Sequence, residues 1–98
     1  MGRYLVLWEM DHSRIPVDPK ERASGFKPLV AMVKQDIEKG KIKEWGGFAG
    51  EGRGYEVFDG TEMELTIHLQ QFVPFVDFEV HPLVSIGQIE EMILAMSS

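Results

Sequence analysis

Thr61-Glu62-Met63-Glu64-Leu65-Thr66-Ile67-His68-Leu69-Gln70-Gln71-Phe72-Val73-Pro74 is the stretch on which the fold turns. Met63, Leu65, Ile67 and Leu69 alternate as a strand would, whereas Leu65, Leu69 and Phe72 recur at helical spacing. Two signals favour the helix. Thr61-Glu62-Met63-Glu64 has the form of a capping box, in which a hydroxyl and a carboxylate satisfy each other's backbone N–H groups. Pro74 then ends the segment, because a proline donates nothing to the helical ladder and crowds the turn before it.

Working outward, residues 42–48 and 55–58 read as two strands joined by the flexible turn Gly50-Glu51-Gly52-Arg53-Gly54, an antiparallel hairpin. Gly46-Gly47 inside the first of them points to a bulge or to close approach by another backbone. Ahead of the hairpin, Asp18-Pro19-Lys20-Glu21 starts a helix: Asp18 caps, Pro19 suits the first helical position, and Glu21 sits where a capping acid belongs. Gly25 and Pro28 predict a kink or short break near Phe26. Leu29, Val30, Val33 and Ile37 then recur at helical spacing, and Gly40 suits the C-terminal cap. The chain opens with Arg3-Tyr4-Leu5-Val6-Leu7-Trp8-Glu9, a strand with Tyr4, Val6 and Trp8 on one face and Leu5, Leu7 and Glu9 on the other. After Pro74, residues 76–81 form a fourth strand, and Pro82 places its end on a sheet edge or outside the ladder. Ser85 and Gln88 cap a tail helix whose apolar side is Ile89, Met92, Ile93 and Met96. The order is β-α-β-β-α-β plus a tail helix. It predicts one α+β domain over residues 1–98, a ferredoxin-like sandwich with an antiparallel four-stranded sheet.

Three segments carry a family resemblance: Tyr4-Leu5-Val6-Leu7-Trp8-Glu9, Gly52-Arg53-Gly54-Tyr55-Glu56-Val57, and Pro74-Phe75-Val76-Asp77-Phe78-Glu79-Val80-His81-Pro82. With the element order, they resemble the dimeric α+β barrel group of ferredoxin-like proteins, and within it small stand-alone proteins of the muconolactone-isomerase-like type. The resemblance spans nearly the whole chain and rests on apolar spacing, so no family catalytic residue is carried over. It implies two four-stranded sheets paired face to face, with a pocket between each sheet and its surroundings. The group includes isomerases, monooxygenases and haem-handling proteins, so the fold does not assign an activity. By that analogy alone, His12 and His81 are candidate axial ligands for haem; no cofactor motif is present, and no cofactor is expected.

The physical reading agrees with a homodimer. Helices on one side leave the other sheet face open, and Leu5 and Leu7 lie on it, with Phe58 expected beside them. At about 25 cal/mol per Å2 of apolar area, covering several such side chains contributes several kcal/mol, comparable with the whole stability of a small domain. A two-fold pair is the commonest cover.

Composition narrows the partners. The net charge of −6 and pI near 4.9 argue against general nucleic-acid binding, which needs clustered Lys and Arg. The absence of cysteine excludes disulfides, thiolate metal sites and a cysteine nucleophile. No apolar run reaches the ~18 residues of a membrane span, and the N-terminal run breaks at Glu9, which makes a poor secretory signal. A cytoplasmic protein is the expectation.

Candidate site residues fall into three sets. Glu9, Glu56 and Glu79 interrupt apolar strands; on the face away from the helices they would converge with His81, and crowded, desolvated carboxylates suit general acid–base work. The plainer reading has them at strand ends, in solvent or paired with Arg3, Arg53 or Lys43. His12 lies in the polar loop Asp11-His12-Ser13-Arg14, where pocket residues often sit, while His68, between Glu64 and Gln71, reads as a surface residue. Trp8, Trp45 and Tyr55 could wall a pocket for a flat ligand, or serve as core and dimer contacts. No histidine has metal-ligand spacing. The leading expectation is a homodimer binding a small organic molecule in a pocket on the sheet face. The alternatives are a cofactor-free isomerase or lyase moving a proton with a carboxylate or histidine, and a structural or regulatory interaction protein.

Overall fold

The computed structural model describes residues 2–97. Four strands, β1 (Gly2–Met10), β2 (Ile42–Gly47), β3 (Arg53–Gly60) and β4 (Val76–Leu83), alternate with α1 (Pro19–Glu38), α2 (Glu62–Gln70) and α3 (Ile86–Ser97) in the order β1-α1-β2-β3-α2-β4-α3. A short 3-10 turn, His12–Arg14, follows β1. The sheet runs β2-β3-β1-β4 with every neighbour antiparallel, which is the ferredoxin-like arrangement. The order expected from the sequence is therefore the order observed.

Local chemistry explains the boundaries. Asp18 accepts from the Glu21 N–H at the start of α1. At its end Gly40 takes φ +77°, its N–H bonds Ile37 O and the Lys41 N–H bonds Asp36 O, the paired bonds that close a helix on a left-handed glycine. Both halves of the Thr61–Glu64 capping box form, at 3.1 and 2.9 Å, so the ambiguous segment is helical. Ser85 and Gln88 make the same reciprocal pair at α3.

The short break expected near Phe26 does not form, since α1 runs unbroken through Pro28. Pro28 and Ser24 are both exposed, so the Ser24 carbonyl that loses its helical donor can turn to water. The bulge expected at Gly46-Gly47 lies earlier, between Ile42 and Glu44. The close approach expected there is real: a Cβ at Gly54 would stand 2.1 Å from Gly46 O and 2.4 Å from the Trp8 ring. Pro82 sits on β4, an edge strand, where prolines are tolerated.

Tyr4 and Val6 of β1, Ile42, Phe58, Val76, the helical Val33 and Leu65, and Phe72 in the turn after α2 form the core between sheet and helices. Register sets the faces. Tyr4 pairs with Phe58 and Val6 with Glu56, so Phe58 and Glu56 point to the helices. Phe58 is 1% exposed there, which corrects its expected place beside Leu5 and Leu7. The outer face carries Leu5, Leu7, Tyr55 and Val57 at its centre, with Arg3 and Asp59 at one end, Glu9, Arg53 and Asp77 at the other, and Glu79 and His81 alongside on β4.

α3 stands apart. All its described residues are exposed except Ile89, which is half-buried. The radius of gyration is 16.4 Å, against about 13 Å for a compact chain of this length, and the longest dimension is 61 Å.

Candidate functional site

A cavity of about 250 Å3 lies on the helix side of the sheet, beneath the middle of α1. β1 supplies Trp8 and Met10, β2 Trp45, β3 Glu56, and β4 Val76 and Phe78; α1 closes it with Phe26, Leu29, Val30 and Val33, and Phe72 fills one corner. The aromatic wall follows from strand register: Trp8 lies opposite Phe78 and Trp45 opposite Glu56, so all four side chains share one face. Trp8 and Trp45 stack at 5.3 Å between ring centres and 9° between planes. Gly54, between them, has no side chain to separate the rings. Trp8 Nε1 is buried and has no hydrogen-bond partner.

Glu56 is the buried polar residue of this wall, 3% exposed. Its Oε1 lies 2.9 Å from Nε2 of His68, a hydrogen bond between buried partners. The other imidazole nitrogen, Nδ1, is 2.9 Å from Asp36 Oδ2 on α1, close enough for strong electrostatic attraction but outside hydrogen-bond geometry. The imidazole is clamped by Phe58, stacked at 5.0 Å, and by the edge of Phe72 at 5.5 Å. Burial opposes the charged imidazolium, but the bond to Glu56 and the charges of Glu56 and Asp36 outweigh it, so the His68 pKa is raised above 6.5.

His68 thus corrects the sequence reading of a surface residue: it is 5% exposed and central. A signal was present, since His68 lies three residues after Leu65 and four before Phe72, both core residues of the same stripe.

The other candidates are divided by the sheet. Glu9, Glu79 and His81 lie on the outer face, opposite Glu56. Glu9 and Glu79 line a second, more polar cavity of about 240 Å3 with Leu7, Phe48, Arg53 and Asp77. Glu9 has Arg53 opposite on one neighbour and Asp77 on the other. Glu79 pairs with His81 at 2.9 Å, both exposed. Tyr55 is also on this face, donating to Glu44 Oε1 at 2.8 Å, so it does not join Trp8 and Trp45. His12 is exposed in the turn after β1, its Nε2 against Gly52 at the rim of the aromatic cavity. The four carboxylate and histidine candidates of the strands therefore do not converge. Among the described residues, no group of three or more His, Asp or Glu could hold a metal ion, and no helix is long and apolar enough to cross a membrane.

No protein-family model matches the chain, and no curated protein matches it significantly.

Proposed function

We propose that the protein binds a small organic molecule in the aromatic cavity beneath α1, and that it does so as a homodimer. The observation that carries the binding reading is Glu56, a buried carboxylate in a wall that is aromatic and aliphatic apart from Glu51, which is exposed, and Gly52 of the hairpin turn. Such a lining, mostly apolar with one placed polar group, is what orients a small ligand. At about 250 Å3 the space lies just below the ~300–1,000 Å3 range of drug-sized sites, which suits a molecule of one or two rings.

Two features support the pairing of chains. The outer face has Leu5, Leu7 and Val57 at its centre, half-buried within the single chain, and α3 presents Met92, Ile93, Leu94 and Met96 to solvent. A second copy that covers the sheet and receives α3 would bury both.

Trp8 and Trp45 are the chain's only tryptophans, so their fluorescence reports this cavity. Titration with a panel of small cyclic metabolites should give saturable quenching and a raised unfolding temperature for at least one chemical class. A panel that moves neither signal would remove the binding reading.

A proton-transfer enzyme is the second reading, favoured by the Glu56–His68 bond at the cavity wall. A catalytic Glu56 would make Glu56→Gln retain binding and lose turnover.

A further inference from the structure

We infer that the cavity takes an organic cation, an ammonium group carried on a small apolar body. This rests on the binding reading above and narrows it to a chemical class.

Charge balance gives the first argument. Asp36 and Glu56 flank one imidazole, so even a doubly protonated His68 leaves one negative charge over. Among the described residues, the only other charged side chain lining the cavity is Glu51, at an exposed position on the hairpin turn, and no lysine or arginine lines it. A monocation placed beside Glu56 cancels the surplus, in a site where low dielectric makes that attraction strong. A carboxylate or phosphate ligand would add to it.

Hydrogen bonding gives the second. Glu56 Oε1 is taken by His68. Among the described residues Oε2 makes no hydrogen bond, and it is not sealed away as Trp8 Nε1 is, so it is open to an occupant of the cavity that Glu56 lines. An ionised carboxylate only accepts, so an occupant meets Oε2 with a donor, and an ammonium offers up to three. The bond it makes is charge-assisted and stronger than that of a neutral hydroxyl.

The walls give the third. The faces of Trp8 and Trp45 are negative in their quadrupole, and aromatic walls of this kind attract ammonium groups. Phe26, Phe72 and Phe78 leave room for an apolar body. A neutral phenol or alcohol would satisfy Oε2 but would leave the net charge in place, which separates the two classes by experiment.

The test uses three probes of one shape: 2-phenylethylamine, 2-phenylethanol and phenylacetate. Each is titrated into the full chain at neutral pH with tryptophan fluorescence and calorimetry as readouts. The amine is expected to bind at least about tenfold tighter than the alcohol, with phenylacetate weakest. Glu56→Gln, which keeps an acceptor toward His68, should bring the amine down to the alcohol's affinity. An alcohol that binds as well as the amine, or a preference for phenylacetate, overturns the cation inference while leaving a binding cavity. Failure of all three to perturb the tryptophans overturns both. If Glu56→Gln does not fold, the side-chain carboxyl carbon of Glu56 in the wild type carries the test by NMR. It should shift with the amine and not with the alcohol, and an unmoved signal at saturating amine refutes the assignment.

Discussion

His68 Nε2 and Glu56 Oε1 meet at 2.9 Å in the interior, joining α2 to β3, while Asp36 brings α1 to within 2.9 Å of the other side of the same imidazole. One side chain thereby ties three elements together at the base of the cavity. A pair this buried is stabilising only while both partners remain, because an uncompensated interior charge is costly.

The stability of the fold should therefore depend on pH through His68. Burial alone would lower its pKa, but Glu56 and Asp36 prevail and raise it above 6.5. A pKa higher in the folded than in the unfolded chain means that the imidazolium stabilises the native state fully below about pH 6.5. That contribution is lost as pH rises through the folded value. Urea midpoints of the wild type should fall across this window relative to those of His68→Gln. Parallel curves for the two proteins would refute the linkage.

Two glycine substitutions should move stability in opposite directions. A Cβ at Gly54 would stand 2.1 Å from Gly46 O and 2.4 Å from the Trp8 ring. Gly54→Ala must push apart the β2–β3 pair or the indole stack, at a cost of about 1–3 kcal/mol or more. At Gly25, inside α1, nothing lies within 4 Å of the added carbon. Gly25→Ala should add up to about 1 kcal/mol by helix propensity. Thermal unfolding of both variants checks the pair, and a neutral Gly54→Ala would mean that the strands are not so close.

The chain should sediment as a dimer at micromolar concentration. Leu7→Glu, at the centre of the outer face, should dissociate it, because pairing would bury the new carboxylate directly opposite Glu79. The central Leu7 points away from the core formed by Tyr4 and Val6, so the variant should keep the far-ultraviolet spectrum of the folded protein. A wild type that sediments as a lone protomer would remove the dimer from the proposal.

Element order was legible because short-range chemistry dictates it. Thr61 with Glu64, Ser85 with Gln88, and Gly40 each act within one turn of chain, and each behaves in the structure as its residue type requires. The faces of the strands were not legible to the same degree. Alternation groups Glu56 with Phe58, but only the register Tyr4↔Phe58 decides which side of the sheet that group occupies. Inter-strand register depends on residues more than fifty positions apart. Phe58 and Glu56 consequently moved from the expected outer face to the helix side, and Glu56 left Glu9 and Glu79 behind. His68 was misread for a related reason: its polar neighbours Glu64 and Gln71 lie off the stripe that Leu65 and Phe72 share with it. Pro28 shows a further limit, since a missing helical bond matters little where the freed carbonyl faces water.

The position of β1 bears on how the protein is made. It sits inside the sheet, and its partner on one side, from Arg3 opposite Leu83 to Met10 opposite Val76, is synthesised 66 to 80 residues later. Until β4 leaves the ribosome, one flank of the most apolar strand remains an unfilled template, and such non-local closure is intrinsically slow. Nascent chains in that interval are the species most exposed to mispairing with one another. Holding Leu5, Val6 and Leu7 apart until the final strand arrives is thus the step at which chaperones would have most to contribute.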